Sequence, residues 1–351
     1  MNQRKCNPED YIQFLIASPA RFSCAEAGRV QQQTADAPAH DAFSRLLSEL
    51  EPDPEALWQE AKGHIDPEGE GILVLDDTTL DKPYARQMEL VGWHFSGKHQ
   101  KVVKGINLLT LLWTDGDRHI PVDYRLYQNK DRAKETKDHQ TRNHLFRAML
   151  RQAHQRGLKP RCVCFDAWYG SVDNLKLVRQ LGWTFLTRLR CNRRIRINFG
   201  PVQRVEQAEV PAGGVVVYLP GYGQVRVFRV VTTDGDTEYW ATNARDMTPL
   251  ARQRWADYSW RIEEYHRGLK QHCGVERCQA RRGRAQRNHI GMAIRAFLRL
   301  AVYSWRRWTT WLQAKTAIVR AAVAQYLARP WITLEAQPTN PDQNFLLGRC
   351  A

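Results

Sequence analysis

The stretch GILVLDDTTL, residues 71–80, ends an aliphatic run in two adjacent carboxylates, Asp76 and Asp77. An apolar run of this length, rich in Ile, Leu and Val, predicts a strand that is buried on both faces. A charge beside a protein core is costly unless a partner compensates it. A solvated turn after the strand would account for the two carboxylates, and so would a bound metal ion.

The stretch RCVCFDAWYG, residues 161–170, repeats this pattern, because Asp166 follows the apolar segment CVCF. If the two strands are neighbours in one sheet, their carboxyl ends bring Asp76 and Asp166 face to face, at the edge where such sheets bind ligands. Two carboxylates side by side repel each other unless a cation lies between them. Taken alone, Asp166 would also fit a helix cap or a turn.

A third acid comes from YSWRIEEYHRGLKQ, residues 258–271, which predicts a helix. Residues three and four apart share a helix face, so Glu263 and Glu264 lie on different faces. The face of Glu263 also carries Trp260, His266, Arg267 and Lys270, and the face of Glu264 carries Arg261, Gly268 and Gln271. The first set has the acid, the aromatic ring and the cations that a metal and a phosphodiester require. An ordinary helix with a salt bridge from Glu263 to Arg267 would also explain it.

The segments around these acids predict a mixed sheet with helices on its faces. Five strands and two helices follow one another in the order βββαβαβ, with the strands GILVLDDTTL, GINLLTLLWT, HIPVDYRLY, RCVCF and WTFLTRL. WHFSGKHQKVVK, residues 93–104, predicts a basic loop between the first two strands. Residues 191–245 predict a β-rich insertion, because short alternating runs are separated there by Gly, Pro and Asp turns.

The remaining segments predict helices. Residues 1–68 contain the helical segments YIQFLIAS, CAEAGRVQQQ and HDAFSRLLSEL, with Ser23 and Asp41 at positions where caps would help. Three short helices fit either a helix-turn-helix module or a packing and dimerisation domain.

EPDPE and DPEGEG predict breaks before the sheet. The sheet core then occupies 69–190 and 246–290, helices follow over 291–336, and 337–351 predict a loose tail.

The formal net charge of +15 over 351 residues is unevenly distributed. Residues 1–70 contain six Lys/Arg and thirteen Asp/Glu, whereas residues 267–310 contain eleven Lys/Arg and one acid, Glu276. A concentrated basic block predicts a polyanionic partner, with nucleic acid first, and a solvated basic helix face is the alternative.

Composition also excludes some classes. No apolar stretch approaches the length of a membrane span, and the N-terminal residues lack a signal region, so we expect a cytoplasmic protein that does not enter a membrane. The eight scattered cysteines lack a clear zinc-ligand pattern and predict reduced thiols.

The order LDDT, FDAWYGS, β-rich insertion and WRIEEYHRGLK resembles the DDE transposases of bacterial insertion sequences, and among them the insertion-sequence-four superfamily. The resemblance covers residues 70–290. Asp76 and Asp166 are 90 residues apart, and Glu263 follows 97 residues later, which leaves room for an insertion between the second Asp and the Glu. The fold that the resemblance implies is an α/β RNase H-like core interrupted by a β-rich insertion.

The resemblance implies that Asp76, Asp166 and Glu263 form the catalytic and metal-binding triad. The family's first Asp is followed two residues later by Thr or Ser, which selects Asp76 with Thr78 over Asp77. A family Lys seven residues after the Glu matches Lys270.

Other family positions match less well. The family has an Arg four residues before the Glu and a Tyr three before that, where this chain has Ser259 and Ala256. Tyr258 and Arg261 have the same Tyr-to-Arg spacing as the family, but each lies two residues later in the sequence than the family position. Trp240 is the nearest match to the family's base-holding Trp, and a packed strand residue is the alternative. The residues predicted to contact DNA are Lys270, Arg267, Arg261, Tyr258, Trp260, Trp240, Lys98, Lys101, Arg281, Arg282 and Arg284.

The implied chemistry is metal-dependent cleavage at the ends of a mobile element followed by strand transfer into target DNA. Two ions per site are expected, Mg²⁺ or Mn²⁺, because the ligands are oxygens only. The implied partners are double-stranded DNA, as terminal inverted repeats and target, and a second copy of the chain when DNA is bound. A hairpin at the element end is a further implication. An RNase H-like nuclease that does not join DNA and a domesticated, non-catalytic DNA-binding protein are the alternatives.

Overall fold

The computed structural model describes residues 5–31, 37–96, 100–128 and 140–332. Three parts of the predictions lie outside these ranges: Lys98, the tail 337–351 and the start of the helix that was predicted before Arg142. The helices are α1 Pro8–Ala17, α2 Cys24–Arg29, α3 His40–Glu49, α4 Glu55–Ala61, α5 Arg142–Gln155, α6 Val172–Gln180, α7 Pro249–Ser259, α8 Arg261–His272, α9 Gly283–Arg306 and α10 Trp311–Ala328. None of the helices in these ranges is both long and apolar enough to cross a membrane.

The strands are β1 Ile72–Asp81, β2 Gly92–Ser96, β3 Lys101–Thr114, β4 Ile120–Tyr127, β5 Val163–Phe165, β6 Phe185–Leu189, β7 Arg194–Ile197, β8 Gln203–Arg204, β9 Val215–Leu219, β10 Gly223–Val231 and β11 Thr237–Thr242. The core of the sheet has the order β4-β3-β1-β5-β6, in which β1, β5 and β6 are parallel and β3 is antiparallel to β1. Leu73, Val74 and Leu75 are almost fully buried, as expected for a strand covered on both faces. The predicted mixed α/β fold is confirmed.

The β-rich insertion continues the core sheet. Strand β11 pairs antiparallel with β6, and Arg188 lies opposite Trp240 in this pair. Strands β10, β9, β7 and β8 extend the sheet further in that order. The insertion is therefore joined to the β6 side of the core sheet by backbone hydrogen bonds and not only by its two connecting segments.

Two local predictions were wrong, and one helix was not predicted. WHFSGKHQKVVK does not form only a loop, because residues 92–96 form β2 and pair with 101–105 of β3. The alternation that reveals this strand has His94 and Ser96 buried and Phe95 exposed. The break predicted at EPDPE is observed over residues 51–54, and the helix that follows it, α4, was not predicted. Asp41 lies in the first turn of α3 and does not cap it, whereas Ser23 caps α2 through a hydrogen bond from the Glu26 amide to its Oγ.

The N-terminal helices pack against the long helix α9. Tyr11 Oη and His289 Nδ1 are 2.9 Å apart in the core, and Asn288 Nδ2 donates to the carbonyls of Leu47 and Leu50 at 2.8 and 2.7 Å. These buried polar contacts fix α1 and α3 on α9. Whether α3 reads DNA bases stays a prediction.

The acidic and basic blocks of the sequence are partly partners of each other. Arg295 Nε donates to Glu60 Oε1 at 2.7 Å, and Arg299 reaches both Glu60 and Glu9. Burial alone would raise the pKa of Glu60, but the hydrogen bonds and charges of Arg299 and Arg295 outweigh it and lower that pKa. Some of the opposite charges in the acidic and basic blocks are therefore neutralised by ion pairs within the chain.

We expect Glu60→Gln to lower the free energy of unfolding by about 2 kcal/mol at neutral pH, since it removes charge-assisted hydrogen bonds from two arginines. Because the folded pKa of Glu60 is lowered, its contribution is complete above the unfolded pKa, near ~4.3, and is lost as the pH falls through the folded value. Denaturant titrations of both proteins at several pH values measure this difference.

Glu51→Gln is the matched control, because Glu51 pairs with Arg284 at 2.8 Å on the surface, where the two side chains are 78% and 47% exposed. Exposed pairs contribute at most about 1 kcal/mol. Equal losses in the two variants would show that the Glu60 pairs do not hold the N-terminal helices.

Candidate active site

Asp76 and Asp166 lie side by side where the parallel pairing of β1 with β5 ends. Leu75 of β1 pairs with Phe165, the last residue of β5, so the next residue of each segment is an aspartate; β1 itself continues to Asp81, paired with β3. A groove of about 1070 Å³ opens on one side of the two aspartates. A cavity of about 560 Å³ opens on the other side, toward the insertion. We call them the main groove and the insert-side cavity.

Helix α8 brings the third acid to the same place. The chain bends at Trp260 between α7 and α8, and both Trp260 and Glu263 line the main groove and the insert-side cavity together with Asp76 and Asp166. The face predicted for Glu263 is observed, because its other members line the main groove: His266, Arg267 and Lys270.

Glu264 points to a different part of the molecule. It accepts hydrogen bonds from Arg261 Nη1 at 3.0 Å and lies 3.1 Å from His119 Nε2. Burial alone would raise the pKa of Glu264, but these two partners lower it. Glu264 is thus compensated within the protein, and Arg261 is held beside it, away from the groove that contains Glu263.

The three acids influence one another electrostatically. Burial raises the pKa of Asp76 well above its ordinary value, and the negative charges of Asp77, Glu263 and Asp166 raise it further. A divalent cation would relieve this repulsion, and three carboxylates are the donors that Mg²⁺ or Mn²⁺ prefers. The donor set fits such an ion in its chemistry. As arranged here, however, no three His, Cys, Asp or Glu side chains in the described part of the chain could hold one.

Asp77, the next residue of β1 after Asp76, has its own hydrogen-bond partners. Its two carboxylate oxygens accept hydrogen bonds from Tyr169 Oη and Asn107 Nδ2, each at 2.6 Å, and Arg142 Nη1 lies 3.9 Å away. Burial and the charge of Asp77 raise the pKa of Tyr169, so the phenol stays a donor. Asp77 therefore ties the middle of β1 to β3 and to the segment that follows Asp166.

Arg188 connects Asp166 with the insertion. Its guanidinium lies 3.7 Å from Asp166 Oδ1 and donates to Glu238 Oε1 at 2.9 Å. Trp240 Nε1 donates to the other oxygen of Glu238 at 2.9 Å, and the Arg188 guanidinium lies 5.8 Å from the Trp240 ring centre. Trp240 is partly buried and lines the insert-side cavity. Its ring is thereby fixed at the wall of the candidate active site.

The predicted DNA-contact residues are found in several places. Trp260 is 60% exposed, and Arg267 is exposed beside it in the main groove. Lys270 also lines this groove, but its Nζ donates to the Thr79 carbonyl at 2.8 Å and pairs with Glu276 at 3.0 Å. Tyr258 packs against Gly116, where an added Cβ would lie 2.6 Å from its ring. It does not line the groove.

The remaining predicted contacts lie at element ends on the surface. Lys101 is exposed at the start of β3, and Arg281 and Arg282 are exposed just before α9. Arg284 is also exposed but pairs with Glu51. These positions are compatible with phosphate contacts, and those contacts stay predictions.

Three groove residues were not assigned from the sequence: Arg142, Trp168 and Arg188. Arg142 is the first residue of α5, and its guanidinium lies 4.9 Å from the Tyr127 ring and 5.4 Å from the Trp168 ring. A cation at a helix N-terminus opposes the helix dipole, which is a signal that could have drawn attention to it. Trp168 belongs to the quoted FDAWYG stretch, but Arg188 looks like any outward residue of a strand.

Comparisons with known proteins agree with this geometry. The family model described as DDE superfamily endonuclease matches residues 2–267. The cryo-EM structure of the piggyBac transposase synaptic complex with hairpin DNA is similar in fold, with a TM-score of 0.54 and 11% sequence identity over 98% of this chain and 79% of that one. Comparison with curated proteins gives no match. Since the family match spans well over half of the chain and includes all three acids, this protein belongs to the DDE superfamily of endonucleases.

Proposed function

We propose that this endonuclease is a transposase that cleaves DNA at the ends of a mobile element and joins the freed ends to target DNA. The observation that carries the proposal is the meeting of Asp76, Asp166 and Glu263, from three different elements, around one groove. Asp76, Asp166 and Glu263 would hold two Mg²⁺ or Mn²⁺ ions, which when bound stabilise the attacking and leaving oxygens of a phosphodiester.

The residues around the triad supply positioning. Asp77, held by Tyr169 and Asn107, fixes this part of β1 and with it the direction of Asp76. Arg267 and Arg142 bring positive charge to the main groove, where a DNA backbone would lie. Trp260 and Trp240 offer ring faces on which bases stack without sequence preference.

The joining step is the finer part of the proposal. Its support is the family together with the fold similarity to a transposase whose structure contains hairpin DNA. A hairpin at the element end is the product expected when a freed 3′-OH attacks the opposite strand. The two alternatives differ in product: a nuclease would leave cut ends only, and a domesticated protein would bind DNA without cutting it. Incubation with linear element-end DNA, a plasmid target and Mg²⁺ separates the three outcomes.

We expect Asp76→Asn, Asp166→Asn and Glu263→Gln each to reduce DNA cleavage about 1000-fold or more, because loss of one metal-binding carboxylate removes several kcal/mol of transition-state stabilisation. DNA binding should be largely retained, since the cations lie on other residues. Single-turnover cleavage and fluorescence anisotropy measure the two effects.

Glu264→Gln is the matched control for Glu263→Gln, because the two acids are adjacent on α8 and only Glu263 lines the groove. The control should keep most of its cleavage activity. Cleavage that survives in Glu263→Gln and disappears in Glu264→Gln would remove Glu263 from the triad.

We expect Arg281→Gln and Arg282→Gln each to weaken binding to all DNA sequences and to reduce the slope of log affinity against log salt by about 0.9. Arg284→Gln should have a smaller effect, because Arg284 already pairs with Glu51. Anisotropy titrations at four salt concentrations give the slopes. Unchanged slopes in the first two variants would make this run a solvated surface.

The proposed dimer has a candidate interface in α10. Beyond Lys315 this helix exposes apolar side chains, including Ile318, Val323 and Leu327 at 40%, 50% and 66%, and Arg320 is its one charged residue from there to Ala328. A helix with this many exposed apolar side chains is normally buried against a partner. A second copy of the same helix offers a matching, mostly apolar surface, and a dimer would hold both element ends.

Val323→Glu with Leu327→Glu should shift the DNA-bound protein from dimer to monomer, because two charges would be buried in the interface. Light scattering of the DNA complex measures the mass. Val231→Glu is the control, since Val231 is an exposed apolar residue of the insertion, 59% exposed. A double variant that stays dimeric would place the interface elsewhere.

A further inference from the structure

The turn between β6 and β7 forms a basic cavity beside the candidate active site. The cavity has a volume of about 550 Å³. Its charged lining residues are Arg188, Arg190, Arg193 and Arg194, and Trp168 and Ser171 form part of its wall. No acidic residue of the described chain lines it. We call it the arginine cavity.

The arginine cavity is continuous with the groove that contains the triad. Arg190 and Trp168 also line the main groove, and Arg188 also lines the insert-side cavity. Trp168 is two residues from Asp166 in sequence. A chain of phosphates in the main groove would thus reach the arginine cavity without crossing the protein.

The turn that carries these arginines is fixed by backbone hydrogen bonds. The Arg193 amide donates to the Arg190 carbonyl at 2.8 Å, and the amides of Val205 and Glu206 donate to the carbonyls of Arg193 and Cys191. The backbone from which the arginine side chains extend is therefore held in place by the fold. A preorganised site loses less conformational entropy when a ligand binds.

The charges in the arginine cavity are largely uncompensated. Among the four cavity arginines, Arg188 is the one that forms ion pairs within the described ranges, with Glu238 and Asp166. Arg194 also lies directly opposite Arg204 in the β7–β8 pair, and like charges in that position destabilise a sheet. Burial lowers the pKa of Arg193, so its charge too is held at a cost. An arrangement of this kind is explained by an anion that binds there.

We propose that the arginine cavity binds backbone phosphates of the DNA segment that flanks the reacting phosphodiester. The proposal rests on the proposed function and adds the path of the DNA at the junction between core and insertion. Guanidinium groups bind phosphate oxygens bidentately, and the exposed Trp168 ring offers a face for a base next to those phosphates.

The first experiment compares two double variants with the same loss of charge. Arg190→Gln with Arg194→Gln removes two cavity cations, and Arg229→Gln with Arg245→Gln removes two exposed arginines of the insertion that line none of the three cavities. Both are made in the Asp76→Asn protein, so that DNA is bound and not cut. We expect the slope of log affinity against log salt to fall by about 1.8 in the first variant, at about 0.9 per contact, and by less than about 0.5 in the second.

The second experiment leaves the arginines unchanged. Cys191 lies in the same turn and is exposed, whereas the other described cysteines are buried or partly buried. In a Cys24→Ser, Cys350→Ser background, a thiol-linked photocrosslinker on Cys191 should form adducts on one DNA strand within a few nucleotides of the cut. Cys191→Ser in that background should form none.

The outcomes separate the two levels of inference. Equal slopes in the two double variants, or no adduct near the cut in a protein that still binds and cleaves DNA, would overturn the arginine cavity and leave the proposed function intact. A wild-type protein that neither binds nor cleaves DNA would overturn both. If circular dichroism shows that the arginine variant does not fold, the crosslinking result alone tests the proposal.

Discussion

The parallel pairing of β1 with β5 is the constraint on which the rest of the site depends. It places Asp76 and Asp166 side by side where the pairing of the two strands ends. Burial raises the pKa of Asp76, the negative charges of Asp77, Glu263 and Asp166 raise it further, and a bound cation would relieve their repulsion. The surrounding arrangement follows from that fact. Asp77 is compensated by internal donors, and cations line the groove at a greater distance.

The cations of the chain fall into two groups, those paired with acids inside the fold and those on the surface. Glu60 and Glu9 are paired with Arg295 and Arg299 on α9, so the long basic helix is also the support of the acidic N-terminal helices. Other cations stay on the surface around the grooves. The net charge of a segment therefore overstates the positive surface that is available to a polyanion. Some of its arginines are paired with acidic residues inside the fold.

Much of the site could be predicted from the sequence, because it depends on local periodicity. Aliphatic runs that end in Asp76 and Asp166 identify the strands, and helical spacing separates Glu263 from Glu264. The strand at 92–96 was missed, because its buried residues are His94 and Ser96 and its exposed ones include Phe95, the reverse of the usual pattern. Arg142 and Arg188 depend on tertiary contacts, such as those with Asp77 and Glu238, that lie far from them in sequence and for which a single sequence gives no signal.

The unbroken sheet from the core into the insertion limits how the enzyme can move. Four residue pairs join β6 to β11, and a hinge rotation of the insertion would have to separate them. Only a small twist of the whole sheet is then available for closing around a substrate. Under the proposed function, the duplex would supply the remaining adjustment by bending or unstacking near the cut, and DNA steps differ in how easily they deform. The proposed function then favours flexible sequence at the element ends, even at base pairs that no side chain touches.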